Sequence, residues 1–377
     1  MEKHYVFSAP GRTEIGGNHT DHQHGCVLAA AVDLETVADV TLNETDCIRV
    51  QSEGYPEVEV DLNDLSVRED EKNTTAALVR GVAAAFADRG AKLQGFDAEV
   101  RSNVLPGSGL SSSAAFEVLM GTILNELFFD KQLSAIEIAQ IGQYAENVYF
   151  GKPCGLMDQM ASSVGNLVHI DFEDPSHPVV EQIEFDFRKA GYSLCIIDSG
   201  ADHAQLTDEY AAIPDELQQV CACFGKNVLR EIPEMDFLGA LPAIRGKVSD
   251  RAILRAIHVY QENRRVMEQA SALRRGDLCT FLKLVNASGR SSWMYLQNIN
   301  PTGAVEHQAV ALALALCDTL LMGKGAYRVH GGGFAGTVQA FVPDYLLEQF
   351  RFGIEAVLGT GSCHILNVRP QGGIRVQ

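Results

Sequence analysis

Hydrophobic and polar residues alternate over much of the first half of the chain, which is the spacing of strands with one buried face. The predicted strands cover residues 5–7, 27–32, 35–41, 48–52, 58–61 and 96–104. Apolar residues at helical spacing predict helices over 75–89, 113–128 and 134–149. The last of these helices begins at Ser134 and has Glu137 three residues later, which is the spacing of a capping box.

The second half of the chain is richer in long helical patterns. Predicted helices cover 215–224, 250–274 and 304–322, and predicted strands cover 192–198 and 337–342. An acidic, proline-containing stretch at 173–178 precedes this change, and we place a domain boundary near residue 190. The pattern predicts an α+β protein of two facing domains, residues 1–190 and 191–377.

The composition argues against several classes of protein. The chain has 377 residues, of which 46% are hydrophobic, as in an ordinary globular protein. Its 30 Lys and Arg against 49 Asp and Glu residues give a net charge of −19. We therefore expect neither nucleic acid nor an anionic membrane as partner, since both bind basic surfaces. We also expect no signal peptide and no membrane span, and nine scattered cysteines indicate reduced thiols in the cytoplasm.

A turn rich in glycine and serine precedes the helix predicted from residue 113. Its residues are Gly107, Ser108, Gly109, Leu110, Ser111, Ser112 and Ser113. Unpaired N–H groups and the dipole at a helix N-terminus favour an anion, and a serine hydroxyl can bind Mg²⁺. The turn lacks the Lys-Ser/Thr pair of a P-loop, and Ser112 replaces the third glycine of a dinucleotide fingerprint. An ordinary serine-capped helix is the alternative interpretation.

A polar segment at residues 9–25 is predicted to be a loop between two strands. Arg12, Asn18 and Asp21 suit a sugar, because carboxylates and amides bind vicinal hydroxyls and an arginine can neutralise a phosphoryl group in transfer. The alternative is a metal site formed by His19, Asp21, His22, His24 and Cys26. Their spacing is not that of a zinc site, so a sugar-binding segment is the preferred interpretation.

Two further segments contain candidate groups. Asp158 is a single acidic residue in an apolar stretch after a glycine turn, and its alternative role is to cap a helix. Residues 330–336 form a glycine-rich segment between Arg328 and a predicted strand, and the alternative there is a simple tight turn.

Taken together and in this order, the four segments resemble the signature motifs of the GHMP small-molecule kinases. Residues 11–21 resemble the galactokinase signature within that family, and the resemblance extends over residues 9–342. It implies a two-domain GHMP kinase fold, with an N-terminal mixed α/β domain that carries the phosphate loop and a C-terminal ferredoxin-like α+β domain. The active site is then expected in the cleft between the domains.

The resemblance also implies ATP-dependent phosphorylation of the anomeric hydroxyl of a sugar, with Mg²⁺ as the metal. Asp158 matches the catalytic aspartate that takes the proton, and Arg12 matches the arginine that orients it. Residues from Gly107 to Ser113 match the ATP phosphate loop, and Ser113 and Glu146 match the magnesium ligands. The positions implied to contact the sugar are Asn18, His19, Thr20, Asp21, Gly155 and Tyr210. Residues 330–336 match the third motif, which supports the nucleotide loop.

The chain departs from the galactokinase pattern, which usually has Glu at Asn18, Tyr at His22 and Asn at Glu14. The arginine pair that usually follows shortly after Tyr210 is also absent, with Ile213 and Pro214 in its place. An asparagine can donate a hydrogen bond to a carboxylate on carbon 6 of a sugar, which a glutamate would repel. The run from His19 to Gln23 also resembles the plant galacturonate kinases of this superfamily. Galactose is the expected substrate, and galacturonate is the alternative. A non-catalytic regulator that binds sugar and ATP is a further alternative, although Arg12, Asp158 and the intact serine run favour an enzyme. We expect a monomer or a weak homodimer.

Overall fold

The structure is a computed structural model that describes residues 4–104, 109–201 and 206–377. The first part of the chain contains β1 (His4–Gly16), β2 (Cys26–Leu42), β3 (Cys47–Ser52), β4 (Val58–Asp61), α1 (Thr75–Asp88), β5 (Phe96–Ser102), α2 (Ser112–Phe128), α3 (Ala135–Tyr144), α4 (Met157–Val164), β6 (Leu167–Asp171) and β7 (Val179–Ile183). A π-helical turn over Ala145–Phe150 directly follows α3.

The second part begins with a strand and then contains a group of helices. Its elements are β8 (Tyr192–Asp198), α5 (Thr207–Ala222), α6 (Glu234–Ile244), α7 (Asp250–Arg274), α8 (Leu278–Ser291), α9 (Ala309–Leu321), β9 (Ala326–Val329), β10 (Thr337–Pro343), α10 (Leu347–Leu358), β11 (Cys363–Leu366) and β12 (Ile374–Arg375). Within the described ranges, no helix is long and apolar enough to cross a membrane.

The larger sheet has eight strands and carries the N-terminal part of the chain. Its order is β12-β1-β2-β5-β3-β4, and β6 pairs with the first part of β2 and with β7. The pairs are antiparallel except for β3 with β5, so the sheet is mixed. Helices α1 and α2 cover one face through a large apolar cluster. The central strand β2 has an uninterrupted buried apolar run from Val27 to Val32, as expected for a strand covered on both faces.

The smaller sheet has four antiparallel strands in the order β11-β8-β10-β9. In chain order these strands and the helices α9 and α10 that pack on them follow a β-α-β-β-α-β scheme. This is the ferredoxin-like arrangement. The α+β class and the ferredoxin-like second part predicted by the family resemblance are therefore confirmed, with α5–α8 inserted between β8 and α9.

A shared hydrophobic core joins the two sheets. It contains Leu28 of β2, Ile196 of β8, Val266 of α7 and Phe281 of α8, all fully buried. The last strand, β12, also returns to the larger sheet and pairs with β1 through Arg375 and Phe7. The division into residues 1–190 and 191–377 stays a prediction, and the C-terminal strand crosses it.

Several local predictions are confirmed, and others are wrong for identifiable reasons. The capping box at Ser134 is present, but the predicted helix continues beyond residue 144 as the π-helical turn. The segment 9–25 is not simply a loop, because β1 extends to Gly16. The helix predicted from residue 215 begins at Thr207 and includes Pro214. Packing of its apolar face against α7 outweighs the local preference of proline to begin a helix.

Candidate active site

The side chains of Arg12 and Asp158 form a two-bonded ion pair between strand β1 and helix α4. Arg12 Nε donates to Asp158 Oδ1 at 2.6 Å, and Arg12 Nη2 donates to Asp158 Oδ2 at 2.6 Å. Asp158 lies in the first turn of α4, but the N-cap position is Leu156. The alternative prediction that Asp158 caps this helix is therefore wrong, and its carboxylate points to Arg12.

The environment of Asp158 keeps its carboxylate ionised. Burial alone would raise its pKa, but the charge of Arg12 and hydrogen bonds from Arg12 and Ser111 lower the pKa below its usual value. One third of the side chain is still exposed, so a ligand can reach it. The pair thus presents an accessible negative oxygen beside a buried, fixed cation.

The start of α2 lies against the same pair. The Ser111 hydroxyl donates a hydrogen bond to the Asp158 carboxylate. Arg12 donates from Nη1 to the carbonyl of Gly109, and its backbone N–H donates to the carbonyl of Leu110 at 3.0 Å. Ser111 is the N-cap residue but has a left-handed φ of 57° and makes no side-chain cap bond. The serine-capped helix predicted as an alternative is therefore wrong. Gly107 and Ser108, predicted in the phosphate loop, lie outside the described residues.

A cavity of about 490 Å³ begins at the N-terminus of α2. Its walls come from α2, α1 and β5 and from the segment after β3, and its lining includes Ser112, Ser113, Ser102, Tyr55 and Thr75. The N-terminus of α2 directs unpaired N–H groups and the positive end of its dipole toward this region. The cavity is suited to a ligand that carries negative charge at the end near the serines.

Ser113 and Glu146 are close enough to share a cation. Ser113 Oγ is 3.4 Å from Glu146 Oε1, and Lys152 Nζ is 3.3 Å from the same oxygen. Within the described part of the chain, no cluster of three or more His, Cys, Asp or Glu side chains is arranged for a metal ion. One hydroxyl and one carboxylate fit Mg²⁺, which commonly takes its remaining ligands from water and substrate phosphates. The metal-site alternative for His19 to Cys26 finds no support in this geometry.

Two residues missed by the sequence analysis lie directly behind Glu146. Gln159, which follows Asp158, donates from Nε2 to Glu146 Oε2 and to Glu117 Oε2, both at 2.9 Å. Glu117 is fully buried, and burial followed by repulsion from Glu146 raises its pKa well above its usual value. A glutamate within the apolar run 114–124 of a predicted helix was the signal that could have identified this position.

Asp21 and Gly155, which the resemblance places at the sugar, lie against each other. A Cβ atom on Gly155 would lie 2.1 Å from Asp21 Oδ2, so only glycine permits this approach. Both residues line a cavity of about 460 Å³ together with His22, His24 and Cys154. Burial raises the pKa of Asp21. As a lining residue, Asp21 can contact a ligand in this cavity.

Asn18 is fully buried, and its side-chain amide is used within the protein. Its Nδ2 donates to Glu14 Oε1 at 3.2 Å and to the carbonyl of Gly331 at 2.6 Å. Its Oδ1 accepts from Asn298 at 2.8 Å and from Ser292 at 3.3 Å. Both N–H groups are thus occupied, and the predicted donation from Asn18 to a sugar carboxylate would require these contacts to break.

The other predicted sugar contacts are also held by protein groups. Thr20 Oγ1 lies 2.8 Å from the carbonyl of Gly17 and 2.7 Å from that of Cys26. His19 Nε2 is 3.0 Å from the carbonyl of Gly332 and must donate to it, which leaves Nδ1 to accept from His22 Nε2 at 3.2 Å. Burial lowers the pKa of His19, and burial and His19 lower the pKa of His22 to about 3. Both imidazoles are therefore neutral.

The third motif, residues 330–336, contacts strand β1 and helix α5 beside the segment that contains Asn18. His330 Nε2 accepts from the backbone N–H of Glu14 at 3.2 Å and lies 3.0 Å from Thr13 Oγ1. Tyr210 of α5 donates to the carbonyl of Gly333 at 2.8 Å. A Cβ atom on Gly332 would lie 2.4 Å from the Tyr210 ring, so the glycine permits this packing. The simple tight turn predicted as an alternative is therefore insufficient, because the motif fixes β1 and α5.

A buried polar network lies under the segment that contains Asn18. Glu14 forms a buried ion pair with Arg328. His258 of α7 donates from Nε2 to the backbone carbonyl of Asn18 at 2.9 Å, and Glu262 Oε1 accepts from the N–H of Gly17 at 3.1 Å. Burial lowers the pKa of His258 to about 4. These contacts connect the segment to the second part of the chain.

The comparisons with known proteins agree with this arrangement. Residues 77–166 match the family model described as GHMP kinases N terminal domain, and residues 1–41 match the Galactokinase galactose-binding signature. The chain is 30% identical over 373 residues to a galactokinase of Streptomyces coelicolor, covering 98% of this chain and 93% of that protein.

The fold is similar to that of Lactococcus lactis galactokinase, solved in complex with galactose. The TM-score is 0.83 at 24% identity, with 99% of this chain and 95% of that chain covered. The fold is also similar to that of Methanococcus jannaschii mevalonate kinase, with a TM-score of 0.68 at 13% identity. That similarity covers 98% of this chain and 99% of the mevalonate kinase chain. The fold and the site define a GHMP kinase. Within that class, the chain belongs to the galactokinase family.

Proposed function

We propose that this protein is a galactokinase, which transfers the γ-phosphoryl group of ATP to the anomeric hydroxyl of galactose. The observation that carries the proposal is the two-bonded Arg12–Asp158 pair at the start of α2. It combines a fixed cation, an ionised carboxylate and a helix N-terminus, which are the groups that phosphoryl transfer requires.

In this proposal the anomeric hydroxyl binds at Asp158. Its oxygen forms a bond to the γ-phosphorus while the bond from that phosphorus to the leaving oxygen of ADP breaks, and its proton passes to Asp158. Because the pKa of Asp158 is lowered, the carboxylate takes the proton only as the attacking oxygen becomes acidic. Arg12 holds the carboxylate in place and lies where negative charge increases in the transition state.

The cavity at the N-terminus of α2 is the proposed nucleotide site. Its position beside Ser112 and Ser113 supports binding of the phosphates there and of the base toward Tyr55. Ser113 and Glu146 would hold Mg²⁺, which when bound neutralises phosphate charge. We assign Ser113 to the metal because it lies beside Glu146, whereas the Ser111 hydroxyl is bonded to Asp158.

The cavity beside Asp21 and Gly155 is the proposed sugar site, and its charge favours a neutral sugar. Its described lining residues include no lysine and no arginine, whereas Asp21 would repel a second carboxylate. Asn18, which the sequence analysis expected to donate to a carbon-6 carboxylate, has both N–H groups bonded within the protein. These two observations support galactose over galacturonate.

A substrate panel tests the proposal directly. The protein is mixed with Mg-ATP and either galactose, galacturonate or another hexose, and ADP release and the ³¹P spectrum of the product are measured. We expect ADP release with galactose and an anomeric phosphate in the product. Turnover of galacturonate alone would select the alternative substrate. Binding of galactose without ADP release from any sugar would support a regulator.

We also propose a cytoplasmic location and a monomer or weak homodimer. All nine cysteines, each in the described ranges, are free thiols, which supports a reducing compartment. Light scattering during size-exclusion chromatography at two protein concentrations would distinguish a stable oligomer from the proposed state.

A further inference from the structure

A single side-chain amide joins two buried carboxylates next to the proposed metal site. Gln159 has two N–H protons on Nε2, and its contacts at 2.9 Å direct one to Glu117 Oε2 and the other to Glu146 Oε2. All three side chains are buried. Both N–H groups of the amide are therefore directed to these two acids, and Cys154 Sγ lies further away, 3.7 Å from the same nitrogen.

The three residues come from different elements, each of which carries a group of the proposed site. Glu117 is one helical turn after Ser113 on α2, Gln159 follows Asp158 on α4, and Glu146 lies in the π-helical turn. A π-helical turn interrupts the regular ladder of an α-helix and is frequent at functional sites. The amide thus connects the elements that present Ser113, Asp158 and Glu146.

The neighbouring helix α3 makes room for this contact. A Cβ atom on Gly142 would lie 3.1 Å from Gln159 Cγ and 3.2 Å from Glu117 Oε2. Glycine at this position lets α3 pack closely without displacing either side chain. The pair Glu117–Gln159 is consequently held between α2, α3 and α4.

We propose that Gln159 and Glu117 are positioning residues that fix the carboxylate of Glu146 and thereby set the affinity of the site for Mg²⁺. The bond from Gln159 holds Oε2 of Glu146, which leaves Oε1 directed to Ser113. Glu117 accepts the second N–H and so prevents rotation of the amide. Groups that orient a metal ligand in this way commonly change metal affinity strongly when they are removed.

A neutral amide is suited to this role. It restrains Glu146 without adding a positive charge that would compete with a cation for the same carboxylate. Lys152, 3.3 Å from Glu146 Oε1, is largely exposed and can move away when a cation binds. This inference rests on the proposed function, because it concerns the metal of the kinase reaction.

The test measures metal binding rather than turnover. The affinity of Mn²⁺ for the complex of the full-length protein with ADP is determined from the EPR signal of free Mn²⁺. We expect Gln159→Met to weaken this affinity by about 10- to 100-fold, because outer partners of metal ligands commonly have effects of that size. Binding of ADP without metal should not change. An unchanged Mn²⁺ affinity in Gln159→Met would overturn the inference.

Matched variants separate positioning from a general loss of stability. Gln140→Met is the control, because Gln140 on α3 also donates from its amide, but to the carbonyl of Ser176 at 3.2 Å and away from Glu146. Glu117→Gln keeps an acceptor for Gln159 and should bind Mn²⁺ nearly as wild type does, whereas Glu117→Met should bind it less well. If Gln159→Met does not fold, equal affinities of these two variants contradict the inference. Failure of the wild-type ADP complex to bind Mn²⁺ would instead contradict the proposed function.

Discussion

Arg12 donates hydrogen bonds at 2.6 Å to both carboxylate oxygens of Asp158, although the two residues are 146 positions apart in the sequence. The pair brings strand β1 and helix α4 together at the start of α2. Its geometry determines both the charge and the direction of the proposed catalytic carboxylate.

Asp158→Asn should remove turnover while keeping the sugar site. The substitution preserves size but removes the proton acceptor, so kcat should fall by about 10²- to 10⁴-fold, the usual contribution of a general base. Galactose binding, measured by calorimetry, should persist. Asp174→Asn is the control, since Asp174 is exposed and, within the described part of the chain, bonds to the neighbouring residues 176 and 177. A normal kcat in Asp158→Asn would exclude Asp158 as the base.

Arg12→Lys should lower kcat and move the acidic limb of the pH profile. Lysine cannot form the two parallel bonds, and loss of a bond to a charged group costs about 1.5–3 kcal/mol, or roughly 10- to 100-fold in rate. Arg12 lowers the pKa of Asp158, so its replacement should raise that pKa. Activity should then be lost at a higher pH than in wild type as the solution is acidified. Profiles of kcat with identical acidic limbs would contradict this account.

Gly155→Ala should affect sugar binding more than catalysis. The added Cβ would lie 2.1 Å from Asp21 Oδ2 and must displace that carboxylate, so KM for galactose should rise more than kcat falls. Gly239→Ala on α6 is the control, because its Cβ would have no atom of the described residues within 4 Å. If both alanine variants leave KM unchanged, Asp21 does not contact the sugar from its present position.

Asn18→Glu should destabilise the protein rather than exchange its substrate. The new carboxylate would lie next to Glu14 and face the carbonyl of Gly331 without a proton to donate. An uncompensated buried charge costs about 3–5 kcal/mol, which chemical denaturation can measure. Glu14→Asn in the same chain should recover part of this loss, because it removes the facing carboxylate. Purely additive effects in this double-mutant cycle would contradict a direct contact between the two positions.

His258 should make the fold less stable at acidic pH. Burial lowers the pKa of His258 to about 4, and Arg265 and His19 act in the same direction. Glu262 and the hydrogen bond to the Asn18 carbonyl raise the pKa, but they do not offset burial. The unfolded chain, with a pKa near the ordinary 6.5, binds this proton first, so stability is full above about pH 6.5 and falls toward pH 4. The contribution over this interval is about 3 kcal/mol.

The variant His258→Gln isolates this contribution, because glutamine can still donate to the carbonyl of Asn18 but does not titrate. Between pH 6 and 4.5 its free energy of unfolding should fall less steeply than that of wild type, by about 1.4 kcal/mol per pH unit. The measurement is denaturant unfolding at several pH values. Parallel curves for the two proteins would show that His258 does not take up a proton on unfolding.

Local features of the fold were predictable because their causes lie within a few residues. The capping box at Ser134 needs only Glu137 three positions later, and both reciprocal bonds are present. The long helix α7 begins and ends where its apolar spacing predicted. In contrast, the pattern did not predict α6, α8 or α10, and it began α5 too late. The buried face of α5 packs on α7, and that contact is not visible in local spacing.

The candidate site shows the same division. The resemblance of the four segments to the GHMP kinase motifs was sufficient to predict that Arg12, Asp158 and the serine run belong to one site, in which phosphoryl transfer would use such groups. It was not sufficient to show which side chains face the ligand. Asn18 was predicted to contact the sugar but is surrounded by protein partners, and Gln159 was not identified at all.

The sequence by itself thus determined the class of chemistry, the alternation of strands and helices, and the family. Periodicity, capping and motif order depend on residues that are neighbours in the chain. Only the tertiary structure decided that Glu146 is oriented by Gln159 and that Glu14 is paired with Arg328. Glu146 and Gln159 are 13 positions apart in the sequence, and Glu14 and Arg328 are 314 positions apart. These contacts form because buried polar groups need hydrogen-bond partners, which tertiary packing supplies.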